Sequence, residues 1–90
     1  MTPSIETLRA EIEAVDAHLI ATIADRVRLA KAIGCAKAQS GHPIMDPARE
    51  AAVVSRASGL ARENGLPEDE IRALYWKLVA MSRRMQITGA

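Results

Sequence analysis

Apolar residues at Ile5, Leu8, Ile12, Val15, Leu19 and Ile23 recur at steps of three and four, and the stripe continues in phase through Val27, Ala30 and Ile33. Only Gly34 interrupts it. Thr2 or Ser4 can cap the start, Pro3 suits a first turn, and "SGHP" at residues 40–43 stops the run with Gly and Pro. The pattern predicts one helix of about 36 residues, roughly 54 Å long, whereas a compact 90-residue chain has a radius of gyration of only about 12 Å. Such a helix overhangs its own domain, and an overhanging amphipathic stripe needs cover. The simplest cover is the same helix of a second copy, although a different helical partner would meet the same need. The expected architecture is therefore all-α, with one long and two shorter helices in an intertwined two-fold homodimer.

The second helix is expected to start at Asp46 as N-cap with Pro47 in the first position, and to end near "NG" at residues 64 and 65. Val53, Val54, Ala57, Leu60 and Ala61 form its shallower stripe. The third opens with Pro67 and the acids Glu68, Asp69 and Glu70, which suit the positive end of a helix dipole. Ile71, Leu74, Leu78, Met81 and Met85 then form a seam at three-four spacing. With no strand-like alternation, repeat or low-complexity tract, the chain reads as a single domain over residues 1–90. A chain of this length buries little surface, so a self-sufficient monomer would be marginal. Lacking Phe, it must build its core from Leu, Ile, Val, Met and Ala.

Several function classes are disfavoured. A formal charge of +1 with interspersed signs gives no field to hold nucleic acid or an anionic membrane. The N-terminus lacks an apolar signal core, and no run approaches the roughly 20 apolar residues of a membrane span, so a cytoplasmic location is expected. The single Cys35 fits a reducing compartment and reads as a small packed residue. His18 and His42 have no metal-ligand spacing, and neither a phosphate loop nor a nucleophile-base pattern is present. Neither metal nor cofactor is expected.

The polar residues are more informative. Arg26 and Lys37 are eleven residues apart, which places them within about 20° on one helix face and roughly 16 Å apart, so both can lean toward an anion between them. Arg9 lies about 25 Å before Arg26, too far to share a small ligand along one straight helix, but an antiparallel two-fold partner could carry its own copy back. Ser82 and Gln86 stand at i and i+4 on the edge of the third helix's seam, a hydroxyl and an amide suited to bonding something enclosed. In "HPIMDPARE", Asp46 can cap the second helix while Arg49 and Glu50 project from its first turn. Singly, each has an ordinary reading as a cap, surface cation or solvated residue. Arg83 and Arg84 read as an exposed basic patch, and Trp76 as packing or a half-buried face residue.

Taken together, "LRAEIEAVD", "ADRVRLAKAIGCAK", "PIMDPARE", "ENGL" and "SRRMQ", in this order and spacing, resemble the all-helical type of chorismate mutase over nearly the whole chain. The resemblance implies an intertwined homodimer with two equivalent sites that rearranges chorismate to prephenate in phenylalanine and tyrosine biosynthesis. It also implies the roles. Arg9 would cross the dimer to one substrate carboxylate, and Arg26 would hold the other from within the subunit. Lys37 would bond the ether oxygen and a carboxylate, and Gln86 the same ether oxygen from the opposite side. Asp46 and Glu50 would receive the ring hydroxyl or position the residues around it; Arg49 would brace the turn and Ser82 would add a ligand hydrogen bond. The reaction is pericyclic, so fixed charge and conformational restraint are required rather than an acid-base pair.

Two rivals remain at this point. Isochorismate pyruvate-lyase resembles the same fold, but its pattern tends to lack the acid matching Glu50. A non-catalytic helical dimer that binds a partner protein would be expected to have lost charged site positions. The sequence also leaves open docking onto another shikimate-pathway enzyme, with Arg83, Arg84 and "ITGA" as a surface for it.

Overall fold

A computed structural model describes residues 2–88. Among them the order is α1 (Ile5–Ser40), α2 (Pro47–Glu63) and α3 (Glu68–Thr88). Ser4 caps α1, its side-chain oxygen accepting from the Thr7 N–H at 3.1 Å, so Pro3 precedes the cap instead of entering the first turn. At the far end Gly41 takes the left-handed conformation at φ 75°, which a residue with a Cβ adopts only at a cost. Asp46 caps α2 by accepting from the Arg49 N–H at 3.1 Å. That helix closes with Gly65 at φ 70° and with Leu66 N–H donating to the Ala61 carbonyl at 2.8 Å, a reversal that sends α3 back along α2. Buried Ser58 locks the bend, donating to Glu68 Oε1 and accepting from Arg72 Nη2, both at 3.0 Å.

Helix α3 packs against both α1 and α2, whereas the backbones of α1 and α2 do not approach each other. The resulting core is thin. Its buried apolar members are Ala30, Val54, Ala57, Ala61 and Val79, all small. The fold is 59 Å along its longest axis with a radius of gyration of 16.5 Å, against about 12 Å for a compact chain of this length. The excess is α1. Before Ala30 it buries no residue, and the stripe there lies open, with Ile12 60% and Leu19 53% exposed. The overhang expected from helix length is present, and a single chain does not cover it.

Two expectations about packing change. Among the described residues of α3 the most deeply buried are Val79 and Ser82, one helical position beyond Leu78 and Met81, which are only half-buried. The seam read as core is turned partly outward, because α1 and α2 pack on the neighbouring face. Cys35 is exposed rather than packed, and Trp76 is half-exposed. Gly34 has a use invisible in the pattern: a Cβ built there would lie 3.2 Å from both Cβ and Cγ of Gln86, so its absence allows α3 to approach α1.

Candidate active site

Where the three helices converge, a cavity of about 430 Å³ opens, a volume ordinary for small-molecule sites. Helix α1 contributes Arg26 and Lys37, with Ala30 and Ile33 between them in sequence, as their common face requires. The start of α2 supplies Asp46, Arg49 and Glu50, and α3 supplies Ser82 and Gln86. Seven of the eight residues singled out in the sequence thus share one wall. Arg9 does not join them: it is exposed on the α1 overhang, about 25 Å before Arg26.

Each side chain is held by identifiable contacts. Arg26 Nη1 donates to Ser82 Oγ at 3.0 Å, and its guanidinium carbon stands 5.8 Å from the centroid of the Tyr75 ring. Ser82 therefore orients a cation whatever else it bonds. Lys37 Nζ donates to the Ile44 carbonyl at 3.1 Å, tying the loop before α2 to the cavity and leaving two further donors on the ammonium. The Arg49 turn is closed by its backbone N–H on Asp46, while its side chain reaches the cavity wall. Glu50 Oε1 accepts from Arg83 Nη1 at 2.6 Å, both groups being substantially buried.

That last pair corrects the reading of Arg83 as part of an exposed patch. Arg83 lines the cavity, whereas Arg84 is exposed. Of the "ITGA" segment grouped with them, Gly89 and Ala90 lie outside the described residues. Tyr75 was likewise missed, although Tyr75, Val79, Ser82 and Gln86 step by four, three and four and could have been read as a second stripe.

The wall carries four cations, Arg26, Lys37, Arg49 and Arg83, against the carboxylates of Asp46 and Glu50. Apolar Leu29, Ile33, Val53 and Val79 complete it, so it suits a small apolar ring bearing more than one negative charge. Among the described residues no three His, Cys, Asp or Glu side chains gather as a metal site requires, and no helix is long and apolar enough to cross a membrane.

The sequence is similar to those of several known proteins. A family model described as chorismate mutase type II matches residues 8–87. A 4-amino-4-deoxychorismate mutase of Streptomyces venezuelae is 33% identical over 82 residues, 91% of this chain and 80% of that protein. A chorismate mutase of Methanocaldococcus jannaschii is 29% identical over 96% of this chain and 87% of its own length. An intracellular chorismate mutase of Mycobacterium tuberculosis is 41% identical over 58 residues, 64% of this chain and 55% of that protein.

Proposed function

Because the chain belongs to the chorismate mutase type II family, a family of isomerases, we propose that it rearranges chorismate to prephenate in the cavity between its three helices. The observation that carries this reading is the gathering of Arg26, Lys37 and Gln86 around one cavity whose cations outnumber its acids. Chorismate is a dianion whose ether C–O bond breaks as a C–C bond forms, with negative charge building on the ether oxygen. Arg26, aligned by Ser82, offers a planar fork for one carboxylate. Lys37 and Gln86, from α1 and α3 across the cavity, are the donors for the ether oxygen, each worth about 2 to 4 kcal/mol in the transition state by analogy with oxyanion-hole donors. The apolar wall holds the ring while the enolpyruvyl arm is folded over it, so that the reacting carbons start close together. No group needs to exchange a proton with the substrate.

The second carboxylate is assigned to Arg9 of a two-fold partner. Support comes from the α1 overhang, whose exposed Ile12, Val15 and Leu19 need an apolar cover, and from the position of Arg9 on that same overhang. The product then serves phenylalanine and tyrosine synthesis in the cytoplasm. A second reading has its own support: the Streptomyces relative is named for 4-amino-4-deoxychorismate, a substrate with an amine in place of the ring hydroxyl.

The test is to follow chorismate loss by ultraviolet absorbance and identify the product, with Lys37→Ala beside the wild type and isochorismate as a control substrate. Prephenate from the wild type, with a rate at least about a hundredfold lower in Lys37→Ala, is the expected result. Pyruvate released from isochorismate without prephenate from chorismate would replace this reading by a lyase.

A further inference from the structure

The two acids of the cavity stand in different surroundings. Asp46 is exposed and uses Oδ1 on the Arg49 N–H. The Glu50 side chain is 16% exposed, and its Oε1 accepts from Arg83 Nη1 at 2.6 Å. On the chorismate reading, from which this inference proceeds, the substrate's carboxylates and ether oxygen only accept hydrogen bonds. The ring hydroxyl is its single donor, and in a wall of cations the enclosed carboxylate of Glu50 is its natural partner, having lone pairs left after Arg83 is satisfied.

Arg83 changes what Glu50 can receive. With its charge balanced by the guanidinium, Glu50 accepts from a neutral hydroxyl without leaving any ion unpaired. An ammonium in the same place must give up its hydration, meets a carboxylate already neutralised, and lies beside a like charge. We propose that Arg83, through its contact with Glu50, sets the preference of this cavity for a hydroxyl over an ammonium on the substrate ring. Arg83 is on this account a positioning and selecting residue that leaves the breaking and forming bonds to other groups.

The experiment compares kcat/KM for chorismate and for its 4-amino analogue, protonated at neutral pH, in wild type, Arg83→Gln and Arg83→Lys. Gln keeps a hydrogen-bond donor for Glu50 and removes the charge, whereas Lys keeps the charge. Wild type is expected to favour chorismate, Arg83→Gln to lower that ratio about tenfold through loss of the like charge, and Arg83→Lys to restore most of it. A ratio unchanged in Arg83→Gln, with both substrates slowed equally, would make Arg83 a brace for the helix start and overturn the proposal. So would a wild type that favours the amine. If neither compound is turned over, the reading as a mutase fails, and calorimetric affinities for the two compounds still decide the charge preference: equal affinities in wild type overturn it, and a hydroxyl preference lost in Arg83→Gln upholds it.

Discussion

Gly34→Ala separates fold stability from catalytic geometry. The new methyl carbon would lie 3.2 Å from Cβ and Cγ of Gln86 and 3.6 Å from its Cα. Carbon atoms are comfortable at about 3.5–4.0 Å, so the helices must part locally by about 0.3–0.8 Å. Rotating a flexible side-chain end does not relieve the contact, because Gln86 Cβ is attached to the backbone and the turn of α3 that carries it must move. Replacing Gly by Ala inside a helix is otherwise worth about 1 kcal/mol, which offsets much of that strain. Unfolding free energy is therefore expected to stay within about 1 kcal/mol of wild type in a urea titration. Activity is expected to fall about tenfold, scaled from roughly a hundredfold for a misplacement of about 1 Å, and mainly in kcat. If the loss acts through Gln86, adding Gly34→Ala to Gln86→Ala costs little more, a strongly non-additive cycle. Full activity in Gly34→Ala, or losses that simply add, would refute the claim that the close approach at Gly34 places a catalytic amide.

Two other outcomes follow from the same geometry. An amide donates at any ordinary pH whereas a carboxyl donates only when protonated, so wild type should be nearly level from about pH 5 to 8 while Gln86→Glu is active mainly in acid and loses rate as pH rises; an unchanged profile in the variant would remove Gln86 from the ether-oxygen role. Ile12→Lys places a charge on the α1 overhang where the side chain is 60% exposed in a single chain, and should yield a monomer by sedimentation with little chorismate turnover; an active dimer would show that a different surface is covered.

The long helix was legible because its evidence is local: the unbroken stripe, the Ser4 cap and the Gly41 stop lie within one segment. Arg26 and Lys37 were legible for the same reason, since eleven residues along one helix fix their common face. Asp46 was legible as a cap, and it brings Glu50 into the first turn of α2. Arg83 was not, because its environment depends on which face of α3 meets the other helices. The apolar seam Ile71, Leu74, Leu78, Met81 and Met85 pointed to one face, while Val79 and Ser82 are the buried residues among those described on α3. Half-cover of that seam is intelligible if a second chain completes it, information that a single helix pattern cannot carry. Gly34 was readable only as a flaw in the stripe until Gln86 was found opposite it.

The most direct test of a chorismate-rearranging site shared between two chains is complementation. Arg9→Ala and Lys37→Ala are each expected to be nearly inactive alone, because each damages both sites of its own dimer. Refolded together in equal amounts, half the dimers are mixed, and one site in each mixed dimer combines an intact Arg9 with an intact Lys37. Chorismate turnover should then recover to about a quarter of the wild-type value per chain. A mixture no more active than its components, or an Arg9→Ala protein as active as wild type, would contradict the shared site.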